Sequence, residues 1–472
     1  MYHSTQRKET KMQNFINEER IEPRKRSTSD RVRDFKEIYE VMGREDAREQ
    51  ADRCVQCGDP FCHSKCPLHN YIPFWLKATS GMKKELAFNL SNETNPFPEI
   101  TGRICPQDRL CEGDCTLNDG YGAITIGSIE TFISEDGFKR GLKPSFPGIT
   151  TKKKVAVIGA GPAGLACATY LLRAGIAVSL YDKQNRAGGL LTYGIPGFKL
   201  DKEVVARRVK WLEEAGLSLH VNTHVGSKEL SFDEVAHSHD AIFLGIGAES
   251  PRKANIANEN AEGVFLAIDF LRSIQKKLFN EAYNKKFEVK GKNVVVIGGG
   301  DTAMDCLRTS IREGAKSVTC LYRRDKYNMP GSKKEFKNAI EEGAEFVYNV
   351  TPKEILVNSD GAVVGIDMHK TILGAKDASC RQCVEIVKGG DFRVDADVII
   401  FALGFSPSVP TFLAENGIEV NKSGCIVVNH EYQTTKSGVY AGGDCKRGSD
   451  LVVTAAKEGK EAAMHIIKKL LG

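Results

Sequence analysis

Long apolar runs are missing from this chain of 472 residues. No stretch of 18 apolar residues occurs in it, so no membrane-spanning helix and no membrane partner is expected. The opening residues, MYHSTQRKETKMQNFINEER, hold no apolar segment of the kind a secretory leader needs, so a cytoplasmic protein is expected. Charge of one sign is also scarce. A net charge of +5 over the whole chain is too mild for a nucleic-acid binder, which concentrates basic residues on one face. Low-complexity tracts are absent. What remains is ordinary for a globular protein: 41% hydrophobic and 27% charged residues, and length for about three domains. A chain of this size has no need of disulfides to hold its core.

The N-terminal 50 or so residues are polar and mixed in charge. In RVRDFKEIYEVMGREDAREQADR, charges of both signs alternate with apolar residues at helical spacing, which predicts a helix with a solvated face. A cysteine-rich region follows, interrupted by YIPFWLKATSGMKKELAFNLSNETNPF, which reads as helix until Asn95-Pro96 breaks it. GLKPSFPGITTKKK reads as a linker. From Val155 the texture changes to an apolar β-branched run, a glycine turn, a helix and a second strand, and the same order returns at KNVVVIGGGDTAMDCLRTSIREGAKSVTCLYRR. A late stretch, GVYAGGDCKRGSDLVVTAAKEGKEAAMHIIKKLL, is too short for a domain and is expected to complete the first of these units.

In the first unit Gly159, Gly161 and Gly164 spell G-x-G-x-x-G directly after a strand, with Pro162 and Ala163 between them. Gly159 permits the tight turn, Gly161 lets the backbone approach a pyrophosphate, and Gly164 lets helix and strand pack. The helix N-terminus offers free N–H groups to phosphate. Asp182 ends the second strand, 18 residues past Gly164, where it can accept from ribose hydroxyls. In the second unit Gly298, Gly300 and Ala303 spell G-x-G-x-x-A around Asp301 and Thr302. Its second strand ends in Arg323 and Arg324 rather than in an acid, which favours a 2′-phosphate. One acid and one arginine pair suggest FAD at the first turn and NADPH at the second. In the late AGGD, Gly442 and Gly443 allow close backbone approach, and Asp444 can hold a cofactor hydroxyl. The helix from about Val452, with Val453 in its first turn, is expected to aim its N-terminus at the flavin ring.

Of 14 cysteines, seven fall between Cys54 and Cys115. Crowding of this kind in a cytosolic chain reads as metal or cluster binding. Cys54, Cys57, Cys62 and Cys66 form a run like that of bacterial ferredoxins with a longer middle spacer. In two-cluster ferredoxins the fourth cysteine of such a run serves the other cluster. That logic assigns Cys54, Cys57, Cys62 and Cys115 to one [4Fe–4S] cluster, and Cys66, Cys105 and Cys111 to a second that lacks one ligand. Structural zinc is the competing use of such cysteines. Beside a flavin site and an NADPH site, electron relay is the expected one. His63 and His69 are expected to face solvent. A further pair, Cys380 and Cys383, is expected to be incidental, on a surface hairpin.

GAGPAG, GGLLTYGIP, GGGDTAMD, YRRDKYNMPGS and YAGGD, in this order and spacing, resemble the flavoprotein family of the glutamate synthase small subunit. The N-terminal part of dihydropyrimidine dehydrogenase and the large subunit of NADH-dependent ferredoxin-NADP oxidoreductase share the pattern. The likeness runs from about residue 12 to the end. It implies an α/β fold in which a helical N-terminal iron–sulfur domain precedes two Rossmann-like domains, the NADPH domain inserted in the FAD domain. The expected spans are 1–150, then 151–285 with 405–472 for FAD, and 286–404 for NADPH. The resemblance adds Gly189 and Leu190 to the FAD contacts. It points to IGSIE for the missing cluster ligand, which places Glu130 there as a carboxylate donor to iron. Lys199, in GIPGFKL, would be a charge near the flavin. The implied partner is the large glutamate synthase subunit with its FMN, and the implied reaction forms two glutamates from glutamine, 2-oxoglutarate and NADPH. Relay chemistry asks this chain for no acid, base or nucleophile, so no catalytic residue is assigned. The alternatives are a relative of the same fold that reduces ferredoxin or a sulfur compound, and a zinc-bearing nucleotide-binding scaffold without activity.

Overall fold

A computed structural model describes residues 13–376 and 382–472. Cys380 lies outside the described residues. Five helices dominate the N-terminal region: Arg44–Asp52, Ile72–Ser80, Lys84–Thr94, Pro98–Ile104 and Ile126–Lys139. Pro73 and Pro98 sit in the first turns of their helices, where a missing N–H costs nothing. Trp75, Phe88 and Ile129 are fully buried between them. Two of the helices cross unusually closely. A Cβ on Gly102 would stand 2.8 Å from the carbonyl oxygen of Gly127, so neither helix tolerates a side chain there. That crossing sets Cys105, just past the end of one helix, against Glu130 on the other.

The predicted helix over 31–53 forms only at Arg44–Asp52. Tertiary contacts override the periodicity ahead of it. Arg31 is buried and pairs with Glu341 at 2.7 Å and Glu342 at 3.1 Å, while Phe35 packs against the core of the second nucleotide unit. The helix expected from Tyr71 onward is two, parted at Gly81 and ending at Asn95 ahead of the proline.

Two five-stranded parallel sheets follow. In the first, strands Val439–Ala441, Ala241–Leu244, Lys154–Ile158, Ala177–Tyr181 and Leu217–His220 lie side by side in that order. The late strand therefore completes the first unit, and the helix Val452–Leu471 packs on Pro162–Arg173. Gly459 makes that packing possible, since a Cβ there would fall 2.0 Å from the carbonyl oxygen of Ala163. The second sheet runs Val264–Leu266, Val398–Phe401, Asn293–Ile297, Ser317–Tyr322 and Glu345–Tyr348. Its first strand and the helix Ala267–Leu278 precede the boundary expected at 286. The apolar segment VFLAIDFL carries no glycine turn and gave no sign of its allegiance. An antiparallel strand set within residues 350–376 and 382–395 flanks this sheet, and Cys383 is exposed on its strand Gln382–Ile386.

The helical region is bolted to the first nucleotide unit. Arg208 grips Glu99 through two hydrogen bonds of 2.6 Å, both side chains fully buried. Tyr170 donates to the carbonyl oxygen of Thr94 at 2.9 Å, and Arg173 to that of Asn92 at 2.6 Å. The second unit is held by a charged seam. Arg308 meets Glu335 at 2.5 Å and Glu342 at 2.9 Å, and Arg312 meets Glu342 at 2.6 Å. Lys199 belongs to this seam rather than to the flavin site: its Nζ lies 2.9 Å from Asp305 and 3.8 Å from Glu335. The helix carrying Asp305 captures the lysine that GIPGFKL suggested for the ring.

Candidate functional site

The two glycine turns share one geometry. Gly159 has φ +101° and Gly298 φ +147°, and a Cβ on either would lie 2.4 Å from a backbone carbonyl oxygen, that of Gly245 or of Ala402. The second glycines differ from the first. Around Gly161 and Gly300 a Cβ would meet nothing within 4 Å, which leaves the approach a pyrophosphate needs at the start of helices Pro162–Arg173 and Asp301–Arg312. Gly164 is there for packing, since a Cβ would fall 1.9 Å from the carbonyl oxygen of Gly159.

The first turn opens into a cleft of about 1170 Å³ of empty space, part of it open to solvent. Gly159, Gly161, Pro162, Ala163, Asp182, Gly189, Leu190 and Asp444 line it. Asp182 is buried at its base and accepts from the backbone N–H of Ala160 at 2.7 Å and of Gln184 at 2.8 Å. Burial raises its carboxyl above the ordinary value against those two bonds. Gly189 stands against Gly161, where a Cβ would come 2.9 Å from the Gly161 Cα. Asp444 carries the clearest sign of a ligand: its Oδ1 is buried without a hydrogen-bond partner, and burial pushes its carboxyl up to about 7. An orphaned acceptor in this position suits a hydroxyl of an extended dinucleotide such as FAD. Gly443, at φ +78°, lets the chain turn beside Ala163 and gives its N–H to Glu458 at 2.7 Å. Glu458 was not foreseen. It sits inside a helix whose periodicity marks it only as polar.

At the second turn Ala303 is buried, and Asp301 accepts from the N–H of Ser332 at 2.9 Å. Thr302, beside it, is half-buried. Arg323 is exposed at the strand end. Arg324 is buried and donates to the carbonyl oxygen of Gln382 at 2.8 Å, so it anchors the neighbouring strand. Of the pair expected for a 2′-phosphate, Arg323 faces solvent and Arg324 gives its Nε–H to a strand carbonyl.

The seven crowded thiols fall into two sets. Burial, then the charges of Cys54, Cys115 and Cys57, push the Cys62 thiol up to about 12, and burial pushes Cys54 up to about 11. Cys54 accepts from Gln56 Nε2 at 3.2 Å, and Cys57 lies 3.2 Å from the Thr116 hydroxyl. The other set, Cys66, Cys105, Cys111 and Glu130, lines one cavity of about 400 Å³ of empty space, part of it open to solvent, with Asn70, Thr101 and Gln107. Burial, then Glu130 and Cys66, raise Cys105 far above the usual thiol value. Glu130 is itself buried. It accepts from Asn70 at 2.5 Å and Asn95 at 3.2 Å on one oxygen and from Thr101 at 3.2 Å on the other, and burial lifts it to about 7. Among the described residues, no three His, Cys, Asp or Glu side chains converge on a single metal ion. Thiolate-rich donor sets of this kind suit an iron–sulfur cluster. His69 is exposed, while His63 is half-buried with Nδ1 3.0 Å from the carbonyl oxygen of Asn70.

The two kinds of site share a wall. Val452 lines the cleft at the first turn, and Val453 lines the thiol cavity instead of the cleft. Adjacent residues in the first turn of one helix thus face the two chambers.

Comparison with known proteins agrees with this layout. Residues 31–142 match the family described as dihydropyrimidine dehydrogenase domain II, 4Fe-4S cluster, and residues 153–459 the family of pyridine nucleotide-disulphide oxidoreductases. The small chain of NADPH glutamate synthase from Escherichia coli (strain K12) is 48% identical over 97% of this chain and 98% of its own length. A putative oxidoreductase of the same organism, AegA, is 47% identical over 95% of this chain and 69% of its own. Among solved structures, Mycobacterium tuberculosis FprA in complex with NADPH superposes with a TM-score of 0.57 at 19% identity, covering 68% of this chain and 85% of that one, a likeness of fold.

Proposed function

Because the chain belongs to the family of the NADPH glutamate synthase small chain, we propose that it is the electron-input subunit of such an enzyme. It oxidises NADPH and delivers the electrons through its helical domain to a large subunit that carries FMN and forms glutamate from glutamine and 2-oxoglutarate. The observation that carries this reading is the shared wall at Val452 and Val453, which sets a nucleotide cleft directly beside a thiol cage in one chain.

FAD is held by Gly159, Gly161, Pro162, Ala163, Asp182, Gly189, Leu190 and Asp444, and NADPH by Gly298, Gly300, Asp301, Thr302 and Arg323. Bound flavin supplies the step from hydride to single electrons, which clusters then accept. The chain's part is to align the two nucleotides, keep water from the cleft and fix the relay distance, tasks of position rather than proton transfer. Asp444 gives up its unpaired state to a cofactor hydroxyl. Two [4Fe–4S] clusters are held, one by Cys54, Cys57, Cys62 and Cys115, the other by Cys66, Cys105, Cys111 and Glu130.

Mixing the protein with the large subunit tests the assignment. NADPH- and glutamine-dependent formation of glutamate should appear, and no gain of activity would sink it. AegA, nearly as similar, favours a second reading in which another acceptor takes the electrons. In that case an artificial acceptor, but not the large subunit, would stimulate NADPH oxidation. For the carboxylate ligand, Glu130→Ala should abolish one reduced-cluster EPR signal and leave the other; two unchanged signals would remove Glu130 from the ligand set.

A further inference from the structure

The loop that carries Cys105 and Cys111 reaches the second glycine turn. Its short turn, Gln107–Arg109, ends on an arginine. Arg109 donates from Nη1 to the carbonyl oxygen of Pro330 at 2.6 Å, and its Nη2 lies 3.5 Å from Asp301 Oδ2. Asp301 opens the helix Asp301–Arg312. The segment from Met329 to Ser332 lies flush on one side of the turn: Gly331 N donates to the carbonyl oxygen of Gly299 at 3.1 Å, and a Cβ on Gly331 would come 3.3 Å from the Gly300 carbonyl carbon. The other side, over Gly300, is open. Arg109 therefore stands at the rim of the space where a pyrophosphate would rest on this turn, its side chain 42% exposed.

Two phosphate charges placed there meet the Asp301 carboxylate, a like charge at the same helix end. Arg109 is the cation already beside that carboxylate. A guanidinium carries five donors in a planar fork, enough to serve a carbonyl, a carboxylate and a phosphate together. A half-exposed arginine also shifts between partners at little cost, because exposed ion pairs are weak.

We infer that Arg109 is a pyrophosphate-binding residue lent to the second glycine turn by the cluster loop. This rests on the reading of the second turn as the NADPH site.

The test uses the full chain with its flavin and clusters, as wild type, Arg109→Gln and Arg109→Lys, titrated with NADP⁺ and separately with NAD⁺. Arg109→Gln should weaken both nucleotides by the same factor, on the order of 10- to 100-fold, as expected for a lost hydrogen bond to a charged group. Arg109→Lys should recover part of the loss, and iron content should stay at the wild-type level. Wild-type affinity in Arg109→Gln overturns the inference. So does a loss that comes only with loss of iron, which makes Arg109 a structural strut, or one confined to NADP⁺, which makes it a 2′-phosphate contact. If Gly298→Val binds nucleotide as tightly as wild type, the second turn is not the site, and the underlying reading falls with the inference.

Discussion

The two glycine turns are built alike and finished differently. Each begins with a positive-φ glycine on which a Cβ would fall 2.4 Å from a crossing carbonyl oxygen, and each leaves its second glycine facing open space. Past that point they diverge. The first turn gains a buried acid, Asp182, and a half-buried acid with one unpartnered oxygen, Asp444, from a segment that returns almost 300 residues later. The second gains the exposed Arg323 and an arginine from the cysteine loop. A backbone cradle fixes where a pyrophosphate lies; the side chains delivered to it from elsewhere decide which dinucleotide stays and what it is wired to.

The largest effects should come from filling each cradle in turn. Gly159→Val, strained at φ +101° and driven into a backbone carbonyl, should yield protein without flavin absorbance. Gly298→Val should keep the flavin spectrum while NADPH no longer bleaches it. Loss of flavin from the second variant would show that the two turns are not independent. A smaller effect should separate the two arginines. Arg323→Ala should lower the preference for NADPH over NADH by on the order of 10-fold or more in flavin-reduction kinetics. Arg324→Ala should spare that ratio and lower the melting temperature, because its guanidinium holds the carbonyl oxygen of Gln382. The reverse pattern would reassign the pair. A further effect concerns pH. In flavin-free protein Asp444 titrates near 7 when folded and near an ordinary ~3.9 when unfolded. The folded state then holds more protons than the unfolded one across about pH 4 to 7, so stability from this group falls as pH rises through that window. Asp444→Asn should flatten that slope in denaturant titrations, and an unchanged slope would show that the carboxyl is ordinary.

Much of this was readable in the chain itself. Glycine spacing marks both turns, since no other residue meets those backbone demands, and cysteine spacing points to metal or cluster binding because seven crowded thiols have few other uses. Which strand joins which sheet was legible for the late Val439–Ala441, flagged by its glycine turn, and not for Val264–Leu266, which carries no such mark. Finer failures share one cause. Val452 and Val453 differ by about 100° of helix rotation, and hydropathy cannot say which of two valines meets which chamber. Lys199 and Arg324 were read from their neighbours in sequence, but buried carboxylates and a strand carbonyl brought by distant segments claim them. The break-up of the helix expected over 31–53 has the same origin, an arginine drawn into the carboxylates of residues 341 and 342. Side chains that serve long-range charge are invisible to local pattern.

On the proposed function, one chain carries hydride from NADPH to a flavin and single electrons on to two clusters. Anaerobic purification with flavin and iron analysis, followed by NADPH titration watched by absorbance and EPR, tests it most directly. About eight irons for each flavin are expected, with bleaching of the flavin by NADPH and the appearance of reduced-cluster signals as the titration proceeds. Flavin that bleaches in a protein without iron, or a colourless protein that holds zinc, would contradict it.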